Sequence, residues 1–260
     1  MLFLLSPAKS LDYITPVPEA LSAAATRPLF AERAAELIDL LKPQSAAAVA
    51  QLMDLSADLA ALNVARYAAW SRRHTDRNSR PAAWAFDGDV YDGLAAKTLG
   101  VDDLAWAQDH VVILSGLYGA LRPLDKLQPY RLEMGTALAN PQGRNLYAYW
   151  GDTIAEHLNA RARADASPVI VNLASQEYFR VADRKALKPL VFDCVFEDWQ
   201  GAGYRVVSFF AKRARGAMAR FAIQHRLATP DGLERFDDNG YCFAAGASSP
   251  QRLVFRRRAD

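Results

Sequence analysis

Four short stretches of the chain carry more glycine, hydroxyl and charged side chains than packing alone requires. Ser6-Pro-Ala-Lys9 directly follows an apolar run. A serine and a lysine at the carboxyl end of a strand suit an anion, because such ends form ligand crevices. A solvated loop would use the same residues. Phe86-Asp-Gly-Asp-Val-Tyr-Asp-Gly93 holds Asp87, Asp89 and Asp92, but it lacks the closing glutamate and ligand alternation of a calcium loop. Asp and Gly dominate ordinary turns, so a structural turn is expected there and no metal site. In Leu114-Ser-Gly-Leu-Tyr-Gly-Ala-Leu-Arg-Pro-Leu-Asp125, Gly116 and Gly119 bracket Leu117 and Tyr118. Such a turn lets backbone approach another molecule, and its amides suit a phosphate oxygen. Arg122, and Arg131 in Pro129-Tyr-Arg-Leu-Glu-Met-Gly135, would either neutralise that phosphate or pair internally with Asp125 and Glu133. In the fourth stretch, Ser208 to Phe221, helical spacing puts Lys212 and Arg215 on one face and Arg213 and Arg220 on another nearby. Four cations with no acid beside them are expected to form a phosphate-binding stripe.

Other patterns narrow the chemistry. Asn172-Leu-Ala-Ser-Gln-Glu177 follows a second apolar run and offers Ser175 and Glu177 either to a crevice or as helix-capping residues. His74, His110, His157 and His225 are scattered, and no H-E-x-x-H, G-x-S-x-G, C-x-x-C or phosphate-loop G-x-x-x-x-G-K-[ST] occurs. Hydrolase, redox and metalloenzyme patterns therefore find no support. Cys194 and Cys242 match no disulfide or metal spacing, as expected of thiols in a reducing compartment.

The elements that must position these residues can be read from periodicity. Met1–Leu5, Val111–Leu114 and Val169–Leu173 are continuous apolar runs, expected as strands, the last covered on both faces. A strand is also expected at Trp84–Phe86, a hairpin from Leu190–Phe196 and Tyr204–Phe210, and a last strand at Leu253–Arg257. Helical spacing covers Leu29–Leu41, Ala46–Met53, Leu59–Trp70, Leu104–His110, Leu146–Ala164 and Ala211–His225, with an exposed basic loop at Ser71–Pro81. Strands and helices without regular alternation predict an α+β, mixed α/β fold in one domain.

The chain has 260 residues with 51% apolar and 23% charged side chains, an ordinary globular composition that excludes collagen-like and disordered classes. Net charge is +2, yet Lys212–Asp260 holds a local excess of +5 over a slightly acidic body, which points towards an anionic partner. Met1–Leu5 is too short for a signal peptide or a membrane span, so a cytoplasmic location is expected.

The blocks above, with Leu11-Asp12, Asn63-x-x-Arg66, Trp150-Gly-Asp152, Glu177-Tyr-Phe179 and Lys212-x-Ala-Arg-Gly-x-Met-x-Arg-Phe221, run nearly end to end. In this order they resemble the YaaA family of bacterial peroxide-stress proteins. The resemblance implies a cytoplasmic protein that helps cells survive hydrogen peroxide by limiting free iron. It further implies a family-specific mixed α/β fold that binds DNA through a positively charged cleft and a helix-hairpin-helix element. That hairpin would fall at Ser115–Gly119.

Two functional readings follow. In the first, structured or damaged DNA is the partner, selected by shape and held without sequence specificity by the amides of Gly116, Leu117, Tyr118 and Gly119. The cations Arg122, Arg131, Lys212, Arg213, Arg215 and Arg220 would contact its phosphates. In the second, the protein is an enzyme acting on a nucleotide, nucleobase or other phosphorylated small molecule. Ser6, Lys9, Asn172, Ser175 and Glu177 would line its pocket, with Lys9, Ser175 and Glu177 as catalytic candidates. That reading requires Lys9, Arg131 and Glu177 to converge. Direct iron binding is the weakest reading, because no histidine adjoins Asp87, Asp89 and Asp92. No cofactor, membrane association or obligatory protein partner is expected.

Overall fold

The computed structural model describes residues 1–163 and 168–258. The strands of the main sheet are, in chain order, β1 (Leu2–Leu5), β2 (Val111–Ser115), β3 (Gly119–Leu121), β4 (Val169–Asn172), β5 (Leu190–Trp199), β6 (Tyr204–Arg205), β7 (Cys242–Phe243) and β8 (Arg252–Arg257). Across the sheet the order is β7-β8-β5-β4-β1-β2-β3, with β6 paired to β5. The five strands from β8 to β2 are mutually parallel, and β3, β6 and β7 add antiparallel edges. Continuous apolar runs make β1, β2 and β4 central because every side chain must be covered, and each is buried throughout. The mixed α/β expectation holds.

Chain order places the site. From β1 the chain reaches β2 on one side, whereas from β4 it continues to β5 on the other. The connections diverge at the carboxyl ends of β1 and β4, the position where parallel sheets open a crevice. One wall of that crevice is the helix Ser208–Gln224, which packs on β5 and on the short helix Asp89–Leu94. The two helices touch through glycines. A Cβ on Gly93 would stand 2.0 Å from the Arg213 carbonyl oxygen, and one on Gly216 would stand 1.8 Å from that of Val90. No other residue permits this approach.

Several sequence expectations are corrected. The Ser115–Gly119 turn joins antiparallel β2 and β3, so it is a β-hairpin and not a helix-hairpin-helix element. Leu146–Ala164 is not one helix: Leu146–Trp150 and Thr153–Ala162 are separated at Gly151, whose φ of 51° ends the first. Ala164 lies outside the described residues. Trp84 belongs to a helical turn, Ala82–Ala85, followed by the strand pair of Phe86–Asp87 with Ser10–Leu11. Ser208–Phe210 opens the long helix instead of extending a hairpin strand. Arg80–Pro81 leaves the basic loop to pair with Lys126–Leu127.

The C-terminal charge excess is largely consumed inside the fold. Arg256 binds Glu197 (2.9 Å), Arg257 binds Asp198 (2.6 Å) and Arg226 binds Asp103 (2.8 Å). Arg258 lies over the Trp199 ring. Tyr241 donates to the second oxygen of Asp198 (2.8 Å), satisfying that buried carboxylate. The contacts of Arg256 and Arg257 clamp β8 onto β5.

Candidate functional site

At the carboxyl ends of β1 and β4 lies a cleft of about 510 Å³. Ser6 and Lys9 enter it from the loop after β1, and Ser175, Glu177 and Tyr178 from the segment after β4. Tyr130, Arg131 and Glu133 come from the long connection after β3, Asp87 and Asp89 from the Gly88 turn, and Lys212 and Arg215 from the long helix. Lys9, Arg131 and Glu177 thus share one pocket, as the small-molecule reading required.

Each group is held. The Ser175 amide donates to Ser6 Oγ (2.9 Å), whose hydroxyl points to Ser175 Oγ (3.4 Å), so the two strand ends are pinned together. Ser175 occupies the N-cap position of the helix Gln176–Phe179 but makes no side-chain cap. Glu177 accepts the Gly135 amide (2.9 Å). Glu133 is shared by Arg131 (2.9 Å) and Lys9 (3.3 Å), and Asp89 faces Lys212 (3.4 Å). Burial raises the phenols of Tyr130, Tyr91 and Tyr178 above the usual tyrosine range, so all three stay protonated.

Arg215 differs from the other cations. Its Nε is buried without a hydrogen-bond partner, and burial pulls the guanidinium below its usual range, opposed by the nearby Cys194 and Asp193. Among the described residues it has no ion pair. Burial likewise pushes the Cys194 thiol up, which keeps it unreactive.

The remaining expected residues do other work. Gly116, Leu117, Tyr118 and Gly119 are buried, so their amides do not present a phosphate-binding surface. The Tyr118 amide is taken by Ser115 Oγ (2.9 Å). Gly116 is required because a Cβ there would stand 2.2 Å from the Leu132 carbonyl oxygen, and Ser115 Oγ meets the Tyr130 hydroxyl at 2.6 Å. The turn is thus the bed on which Arg131 and Glu133 are laid. Arg122 pairs with buried Asp125 (3.1 Å). Arg220 bonds the Leu94 and Ala95 carbonyls (3.2 and 3.1 Å), and Arg213 is exposed outside the cleft. The four cations of the helix are therefore not one stripe. Asn172 does not line the cleft; it braces the loop by accepting the Ala174 amide (3.0 Å) and donating to Asp193 (2.8 Å). Sequence reasoning missed the roles of Asp89, Tyr130 and Tyr178, although all three stand in stretches it singled out.

Residues 1–247 match the family described as peroxide stress protein YaaA. A UPF0246 protein of Variovorax paradoxus is 63% identical over 99% of both chains. One from Albidiferax ferrireducens is 61% identical over 99% of this chain and 98% of its own. A third, from Bordetella petrii, is 60% identical over the full length of both. The chain belongs to the YaaA (UPF0246) family of peroxide stress proteins.

Proposed function

We propose that this protein serves the peroxide-stress response by binding a nucleotide, or a similar phosphorylated molecule with N–H donors, between β1 and β4. The observation that carries the reading is balanced charge on one lining: Lys9, Arg131, Lys212 and Arg215 alongside Asp87, Asp89, Glu133 and Glu177. Four carboxylates repel a bare polyanion. A nucleotide matches both signs, its phosphate meeting Arg215 and the serine hydroxyls while N–H groups of the base meet carboxylate oxygens. Arg215 is the phosphate anchor in this reading, since a half-buried guanidinium whose Nε lacks a hydrogen-bond partner has most to gain from an anion.

Chemistry beyond binding would draw on Glu133, Glu177 and Lys9 as proton carriers and not on a serine nucleophile. No histidine lines the cleft to activate Ser6 or Ser175. His74 faces Tyr118, His110 the Met1 carbonyl, His157 the Phe30 ring and His225 the Phe221 carbonyl. We place the protein in the cytoplasm and its effect on free iron downstream of the cleft, with Asp89 committed to Lys212.

A second reading, contact with DNA, is favoured by Arg213. It is exposed next to Lys212 and has no ionic partner among the described residues. A strand tracking this helix would place one nucleotide in the same cleft, with steep salt dependence.

Thermal unfolding with a panel of nucleoside monophosphates separates the readings. A ligand at a hundred times its Kd stabilises the wild type by about 2.7 kcal/mol, and Arg215→Gln should lose most of that gain. If no monophosphate shifts the midpoint while duplex DNA binds wild type and Arg215→Gln alike, the cleft is not the site.

A further inference from the structure

A second cleft, of about 480 Å³, opens beside the basic segment that begins at Ser71, and its lining has one sign. Arg27, Arg72, Arg73, His74 and Lys126 line it with Ala25, and among the described residues no carboxylate does. It shares no residue with the first cleft. One ring, Tyr118, stands between them. His74 Nε2 lies 3.4 Å from the Tyr118 hydroxyl, and Tyr118 meets Tyr130 of the first cleft edge-on at 5.5 Å.

These cations are fixed by the backbone beneath them. The Thr26 amide donates to the Leu124 carbonyl (2.9 Å) and the Lys126 amide to the Thr26 carbonyl (2.7 Å), which holds Arg27 beside Lys126. The Ser71 amide donates to Gln128 (3.0 Å), while Asn78 and Ser79 close the segment onto Thr75 (2.8 and 2.6 Å). Glu32 pairs with Arg27 and Arg72, Asp39 with Arg72, and Asp76 with Lys126, all from outside the lining. They orient the cations, and none of the three carboxylates is itself part of the lining. Arg73 has no ionic partner among the described residues.

We propose that this second cleft is a binding site for a small phosphate-bearing polyanion such as a pyrophosphate group. Arginine forks fixed around one space suit clustered phosphate oxygens, which accept paired bonds. The all-basic lining gives no counterpart to the N–H donors that the first cleft accommodates, so the two sites select different ligands. His74 reports occupancy. Its ring is packed against Trp70 and Tyr118 and faces Arg27, Arg72, Lys126 and Glu32, and burial with the charges of Arg27 and Lys126 keeps it neutral. A seated polyanion offsets those charges and favours the imidazolium.

The test follows the His74 ring protons by NMR while inorganic pyrophosphate is added to the full chain, with chloride holding ionic strength constant. The expected result is a saturable shift and a raised His74 titration midpoint. Affinity should fall roughly tenfold or more in Arg72→Ala/Arg73→Ala, as loss of charge-assisted contacts requires. Both side chains are exposed, so the double variant keeps the fold. Lys212→Ala/Arg215→Gln should leave the His74 response intact. A response that chloride reproduces, or one that survives Arg72→Ala/Arg73→Ala, overturns the proposal. So does a response to duplex DNA with none to pyrophosphate.

Discussion

Arg215 is held where water does not reach its Nε and where, among the described residues, no carboxylate forms an ion pair with it. A half-buried cation that nearby Asp193 offsets only in part costs stability in the free protein and gains on binding an anion, because desolvating a charge without a full partner is unfavourable. Arg215→Met should therefore leave the unfolding midpoint of the free protein equal or higher while removing the shift caused by a monophosphate. A midpoint that falls by several degrees would make Arg215 a structural residue instead. Glu177 gives the complementary case. Glu177→Gln still accepts the Gly135 amide, so the loop stays in place and only the charge is lost. Its affinity for a base-bearing ligand should drop by about 1.5–3 kcal/mol, with little change in stability, as titration calorimetry and melting would show. At this scale most of the first cleft was legible: Ser6, Lys9, Arg131, Ser175, Glu177, Lys212 and Arg215 were all singled out by type and position. Gly116–Gly119 misled because a turn that packs and a turn that binds have the same local composition. The Leu132 carbonyl, 2.2 Å from where a Gly116 Cβ would be, and the Ser115 hydroxyl on the Tyr118 amide distinguish them.

The helix Ser208–Gln224 and the helix Asp89–Leu94 act as one unit through Gly93 and Gly216. Their contact sets the separation of Asp89 from Lys212, and with it the position of Arg215. Gly216→Ala would push a methyl into the Val90 carbonyl, forcing the helices apart at a cost of about 1–3 kcal/mol or more. Chemical denaturation should show that loss, and ligand affinity should fall with it. Ala214→Gly is the control, since it weakens the same helix by only about 1 kcal/mol through propensity and packing without moving the contact. Equal effects on affinity from both variants would contradict the role given to the glycine contact. Single elements with strong periodicity, such as Ala46–Met53 and β4, were legible because burial on one stripe or both faces imprints the sequence. The break at Gly151 and the short pairing of Ser10–Leu11 with Phe86–Asp87 were not, because each depends on a distant partner or on one backbone angle.

The whole molecule should lose stability on mild acidification. His157 packs against Phe30, and burial, reinforced by Arg161 and Arg122, lowers its pKa from 6.5 to about 4. Between those values the unfolded chain takes up a proton that the folded chain refuses, so stability falls as pH drops from 6.5 towards 4. The full effect is at most roughly 3 kcal/mol, since each tenfold difference in proton affinity between the folded and unfolded chain is worth about 1.36 kcal/mol. Urea unfolding at pH 7 and pH 4.5 should show this slope, flattened in His157→Phe, with His74 supplying a smaller part of the same sign. An unchanged slope in His157→Phe would remove His157 as its source. Net charge at this scale misdirected the sequence reading: several cations of the basic C-terminal segment are spent inside the fold, Arg256 and Arg257 on clamping β8 to β5 and Arg226 on Asp103, and two separate clefts of different character are left. The central claim is that the first cleft recognises a phosphate through Arg215. The measurement that bears on it most directly is calorimetric titration of a nucleoside and its 5′-monophosphate into wild type and Arg215→Gln. Wild type should prefer the monophosphate by roughly tenfold or more, about 1.4 kcal/mol, and Arg215→Gln should bind the two nearly alike. A preference for the monophosphate that persists undiminished in Arg215→Gln would contradict the account.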